Sequence, residues 1–128
     1  MLFYKCSVCL ETFPVKPSKP LILDPVHVNH DISGTKNTPL SFTCLSSGGY
    51  PEQTVKWYRV QGTMNSSLQG CTNIPESKNG LFDVTTRCTF TPTDADDNTS
   101  FFCQSSFNGE PTLTDTSNVV RLLLKCEC

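Results

Sequence analysis

Cys44 ends an alternating apolar run, Leu40-Ser41-Phe42-Thr43-Cys44. Trp57 follows thirteen residues later in Val55-Lys56-Trp57-Tyr58, and Cys103 closes Phe101-Phe102-Cys103. All three fall in segments whose period of two marks strands, and in each the cysteine or the indole shares a face with the apolar residues of its run. With 128 residues and 37% hydrophobic content there is material for one core of ordinary size.

Eight cysteines against two methionines point to an oxidising compartment, since a cytosolic chain gains nothing from keeping so many thiols reduced. Asn65-Ser66-Ser67 and Asn98-Thr99-Ser100 are N-glycosylation acceptor patterns, which have meaning only in the secretory pathway. The net charge of -2 comes from ten basic and twelve acidic residues scattered along the chain. No cationic stripe is left to displace counterions from a phosphate backbone, so nucleic acid is not an expected partner. The longest apolar run, Val119 to Leu124, is interrupted by Arg121 and falls well short of the roughly 20 residues that cross a bilayer. Met1-Leu2-Phe3-Tyr4-Lys5-Cys6 lacks the basic start and apolar stretch of a secretory signal. An extracellular composition without a leader predicts a fragment of a longer chain.

Pro14, Pro17 and Pro20, with Lys16 and Lys19 among them, read as a stiff connector, and the domain proper is expected to begin near Leu21. Leu21, Leu23, Val26 and Val28 predict a first strand broken at Asp24-Pro25, which confines it to an edge or bulge. Leu40 to Leu45 is the second, with Leu40, Phe42 and Cys44 on one face. Ser46 to Pro51 reads as a turn, and Val55, Trp57 and Arg59 face the core from the third strand. Only short edge strands are expected between Gln61 and Gly80. Phe82, Val84, Thr86, Cys88 and Phe90 share one face of a strand that leads, through the acidic turn Thr91 to Asn98, into Ser100 to Ser105. Asn108-Gly109 marks a hairpin turn, and the last strand is expected over Asn118 to Lys125. Several short strands at such intervals without an amphipathic helix predict an all-β sandwich.

Residues 39 to 104 resemble an immunoglobulin domain of C2 type. Arg87-Cys88-Thr89-Phe90-Thr91-Pro92-Thr93-Asp94-Ala95-Asp96-Asp97-Asn98-Thr99-Ser100-Phe101-Phe102-Cys103 is similar to the E-to-F segment of nephrin-like, nectin-like and costimulatory-ligand adhesion proteins. Gly49-Tyr50-Pro51 before Val55-Lys56-Trp57-Tyr58 resembles their B-to-C turn. The resemblance implies a two-sheet antiparallel Greek-key sandwich in which a Cys44–Cys103 bridge joins the sheets and Trp57 packs on it. It also implies a core holding Phe42, Val55, Phe90, Phe101 and Leu122, and it assigns the corner aspartate to Asp97, six residues before Cys103. Two positions depart from the pattern: Phe101 stands where the family has tyrosine, and Thr99 where it has glycine or alanine. Phe101 fills the core but has no hydroxyl for the corner hydrogen bond.

Cys71 and Cys88 lie outside that pattern. Cys88 replaces an aliphatic residue on the inner face of its strand, and Cys71 sits in the polar stretch that must pass that strand, so a second bridge is expected. The alternative is a buried free Cys88 with Cys71 exposed; eight cysteines allow on the order of 100 pairings. Cys6-x-x-Cys9 and Cys126-x-Cys128 together supply four thiolates suited to zinc. Leu10 to Pro20 reaches at most roughly 40 Å, however, and would have to double back along the whole sandwich to join them. A better account is that Phe3-Tyr4-Lys5-Cys6 resembles the F strand of a preceding immunoglobulin domain, and that Cys126 or Cys128 joins two chains covalently.

Catalysis finds little footing. His27 and His30 lie beside Asp24 and Asp31 without a third ligand placed by pattern. There is no Gly-x-Ser-x-Gly elbow, Gly-rich phosphate loop or His-Glu-x-x-His segment, and Asp94, Asp96 and Asp97 sit in a turn that they cap. Neither enzyme activity nor a cofactor is expected. Alternation turns Lys56, Tyr58, Phe102, Gln104, Arg121 and Leu123 outward, an aromatic pair flanked by charge of the kind that protein interfaces favour. Glycans at Asn65 and Asn98 are expected to leave this face free. The chain therefore divides into residues 1–19 (tail or remnant domain plus linker), 20–125 (a C2-type domain) and 126–128 (a Cys-x-Cys tail). The expected function is extracellular recognition of a protein ligand in an adhesion or immune-type receptor. A spacer domain without its own ligand is the first alternative, and a small secreted zinc-binding or hydrolytic protein the second.

Overall fold

The computed structural model describes residues 14–107 and 113–125. Its strands are β1 (Leu21–Asp24), β2 (Asp31–Thr35), β3 (Leu40–Gly49), β4 (Thr54–Gln61), β5 (Met64–Ser67), β6 (Cys71–Lys78), β7 (Leu81–Phe90), β8 (Ser100–Ser106), β9 (Thr114–Thr116) and β10 (Val120–Lys125), with one 3-10 turn at Asp94–Asp96. They form two sheets, β1-β3-β7-β6 and β2-β10-β8-β4-β5, with β9 also paired to β8. The pairs are antiparallel except β2 with β10, which is parallel. This is the all-β sandwich expected from the strand pattern, in the immunoglobulin-like arrangement that the resemblance implies.

Inward positions alternate as a half-buried sheet requires. Phe42, Cys44, Trp57, Cys88, Phe101, Cys103 and Leu122 are fully buried, and Val55 and Val84 nearly so. Phe90 is only partly buried and packs on the edge of this cluster. The rings form one aromatic body: Phe42 meets Trp57 edge-on at 5.1 Å, and Phe101 at 4.7 Å and Phe90 at 6.2 Å between centroids. Phe101 thus fills the core without a hydroxyl, as the sequence predicts. Trp57 Nε1 donates to the Thr86 carbonyl at 3.4 Å, which pairs the indole's one polar atom.

Cys44 on β3 and Cys103 on β8 are disulfide-bonded across the sheets over 59 residues, and Cys71 on β6 is bonded to Cys88 on β7 over 17. In the chain-entropy picture the two loops contribute about 4 and about 3 kcal/mol. The second bridge joins residues directly opposite in the β6–β7 ladder. It fastens an edge strand whose eight residues are all exposed. Cys6, Cys9, Cys126 and Cys128, and the Asn108-Gly109 turn, lie outside the described residues.

Several strand limits differ from the sequence reading. The side chain that β1 buries is Ile22, whereas Leu21, Leu23, Val26 and Val28 are 60%, 45%, 80% and 68% exposed. After the cis Asp24-Pro25 bond the chain leaves the first sheet and returns as β2 in the second, with Ile32 fully buried. Two short half-strands, each burying one isoleucine, carry too little alternation to be read as periodic. Gly34 lets β2 approach so closely that a Cβ there would stand 3.0 Å from Leu122 Cδ1. Ser46 to Gly49, read as a turn, continues β3 through a bulge in which Gly48 takes φ 79° and donates its N–H to Asp83 Oδ1 at 3.0 Å. β6 is longer than the short edge strands expected, because the two-residue Asn79-Gly80 turn, with φ of 54° and 81°, sets it against β7.

The final strand is divided. Ser117 interrupts it, donating its N–H to the Cys103 carbonyl and accepting the Cys103 N–H on its hydroxyl at 2.9 Å, so β10 starts at Val120 and not at Asn118. Upstream of β1 the chain runs beside the end of β3. Val15 exchanges both backbone hydrogen bonds with Tyr50, Ser18 N–H donates to Ser47, and Pro17 and Pro20 are buried.

Candidate recognition face

The outer surface of the β2-β10-β8-β4-β5 sheet carries the residues that alternation turns outward. Pairing arranges them in transverse rows, because residues directly opposite in a ladder share a face. One row runs Lys56, Gln104, Thr116; the next runs Ser67, Tyr58, Phe102; a third runs Asn65, Val60, Ser100, Arg121. Tyr58 and Phe102 are stacked at 5.4 Å between centroids with planes 21° apart. Both are half-buried, Gln104 and Leu123 likewise, while Lys56 and Arg121 are exposed. Arg121 Nε donates to Asp31 Oδ1 at 3.2 Å, so its charge is partly satisfied within the fold. An aromatic pair of this kind presents rigid apolar area with few torsions to immobilise on contact.

The structure brings Lys56, Tyr58, Phe102 and Gln104 together at the centre of this face, with Arg121 and Leu123 toward β2. It also places Ser67 and Thr116 there, which sequence reasoning missed because the register of β5 and β9 is fixed by turns that alternation does not specify, and with them Val60, which alternation along β4 already turns outward. Asn65 is directly opposite Val60, so it shares the outer face with Tyr58. Asn65 thus lies on the edge strand of this face, next to β4. Asn98 follows the 3-10 turn with φ 66°, exposed, just beyond the end of β8 next to Ser100.

The corner residue is corrected. Asp97 is exposed and its Oδ1 accepts the Leu124 N–H at 2.9 Å. Asp96 is the buried one. Its Oδ1 accepts from Arg59 Nη1 at 2.6 Å, and its Oδ2 accepts from the Thr93 N–H and hydroxyl at 2.7 and 3.2 Å. The Arg59 guanidinium lies 5.8 Å from the Phe90 centroid and so carries the partner charge at this corner. The 3-10 turn closes on Asp96, and Asn98 in the left-handed region then re-enters the strand, which moves the inward carboxylate one residue upstream of the position that counting back from Cys103 selects.

His27 Nδ1 lies 3.4 Å from the Pro25 carbonyl oxygen. Among the described residues no group of three or more His, Cys, Asp or Glu side chains is arranged to hold a metal ion, and no helix is long and apolar enough to cross a membrane.

Two sheets, an intersheet disulfide and a tryptophan buried in the same core cluster define a protein of the immunoglobulin fold. The sequence profile of CD80-like C2-set immunoglobulin domains matches residues 25–112, and the chain belongs to that family. No curated protein sequence matches it. Among solved structures it is similar to Rst D1-D2, at 23% identity and a TM-score of 0.69, covering 88% of this chain and 51% of that one. It is also similar to the full ectodomain (Ig1-Ig3) of mouse nectin-like molecule 4, at 15% identity and 0.61, covering 87% and 34%. The BTLA ectodomain matches at 17% identity and 0.52, covering 84% of this chain and all of that one. The chain thus spans about half of the first of these and a third of the second.

Proposed function

We propose that this chain is an extracellular recognition module of an adhesion or immune-type receptor, binding a protein ligand through the outer face of β4, β8 and β10. The observation that carries the reading is the Tyr58–Phe102 stack, half-exposed at the centre of a sheet and flanked by Lys56 and Gln104. Aromatic anchors surrounded by polar groups that exclude water are the usual energetic centre of a protein contact. The role is binding rather than catalysis, and the family membership supports it.

Beads coated with the domain test this by clustering with one another, which reports contact between copies, and by adhering to a panel of cell lines, which reports a different ligand. Adhesion is expected for the wild type and for Ile74→Glu, which alters the opposite sheet. It is expected to be lost in the double variant Tyr58→Glu, Phe102→Glu while circular dichroism stays unchanged. If the double variant adheres as well as the wild type, the ligand is bound elsewhere than on this face; if the wild type adheres to nothing, the domain is a spacer.

A further inference from the structure

We infer that Asn65 is a glycosylation site on the recognition face itself, and that its glycan screens one end of that face and confines a protein partner to the end marked by Lys56 and Gln104. The inference rests on the recognition reading for its consequence, but the site stands on register alone. Asn65 is the second residue of β5, the outermost strand of its sheet, and is exposed. Its pairing with Val60 puts it on the outer face, diagonal to Tyr58, a separation of about 7–8 Å in an antiparallel ladder. A glycan is bulky and strongly hydrated and extends further than that. It would lie over the row Asn65, Val60, Ser100 and reach the Tyr58–Phe102 stack from one side.

The second acceptor lies toward the same end. Asn98 precedes Ser100 by two residues, and Ser100 belongs to the Asn65 row. Two glycans would therefore bracket one end of the sheet, while the row Lys56, Gln104, Thr116 lies on the far side of the aromatic pair from both. A polar end bearing the exposed Lys56 amine, bounded by two aromatic rings, fits a partner surface that is acidic at its rim and apolar at its centre.

The test needs no partner, so its outcome is separate from that of the adhesion assay. Protein secreted from mammalian cells is mapped by mass spectrometry for glycan at Asn65, then labelled with hydroxyl radicals and, in parallel, with an amine-reactive acetyl donor. Asn65 is expected to be occupied. Labelling of Val60 is expected to rise severalfold in Asn65→Gln, and equally in Ser67→Ala, which removes the acceptor pattern but keeps the asparagine, while Tyr58 and Phe102 change less. Acetylation of Lys56 is expected to be unchanged in both. An unmodified Asn65, or an occupied one whose removal leaves Val60 labelling as it was, overturns the inference.

Discussion

Asp96 and Asp97 are adjacent and chemically identical, yet their side chains meet opposite surroundings. Asp96 is 5% exposed against an Arg59 side chain that is 25% exposed, and three donors converge on its carboxylate. Removing one partner of such a pair strands the other, so Asp96→Ala is expected to cost about 3 kcal/mol in urea unfolding. Asp97→Ala loses one hydrogen bond from an exposed acceptor and is expected to cost no more than about 1 kcal/mol. Equal losses, or the reverse order, would return the corner role to Asp97. The family resemblance implies an aspartate at this corner, but a 3-10 turn and one left-handed asparagine decide which, and neither has a periodic signature. The buried residues were more legible. Trp57, Phe42 and Phe101 each stand in an alternating run, and burial follows alternation directly.

Among the elements, β6 depends most on its bridge. All eight residues are exposed, and the strand is held by its ladder to β7 and by Cys71–Cys88 at its start. Replacing Cys71 by serine and Cys88 by alanine together is expected to lower unfolding free energy by about 3 kcal/mol. Amide exchange should quicken in β6 while β3, β4 and β8 keep their protection. Uniform acceleration across both sheets would show that this bridge serves the whole core and not its edge. That a strand exists here was hinted at by Cys71, but its length was not, since Cys71-Thr72-Asn73-Ile74-Pro75-Glu76-Ser77-Lys78 buries nothing and so shows no alternation. β1 was misread and β2 not read for a related reason. The chain changes sheets between them and each half-strand buries a single isoleucine, which in β1 is Ile22, on the face opposite to Leu21 and Leu23.

At the scale of the whole molecule the two sheets present different surfaces. One bears the Tyr58–Phe102 stack with Asn65 beside it; the other has exposed Ile74, at 46%, and neither acceptor asparagine. The strands were legible from alternation and the bridge between the layers from the family resemblance, and the outward residues followed from alternation. How those residues line up across strands was not legible, because rows depend on register and register depends on turns. Stability and recognition should separate on this face: Tyr58→Glu with Phe102→Glu loses the stack and its half-buried area and sets two carboxylates directly opposite, so it is expected to cost about 3 kcal/mol in thermal unfolding and still leave the domain folded. Loss of the fold in that variant would mean that the pair is structural.

The most direct test of recognition by this face is photocrosslinking on cells that the domain adheres to, with benzoylphenylalanine in place of Phe102 in one preparation and of Ile74 in another. A covalent adduct with a cell-surface protein from the Phe102 position, and none from the Ile74 position, is the predicted result. An adduct from Ile74 alone, or from neither while adhesion persists, would contradict it.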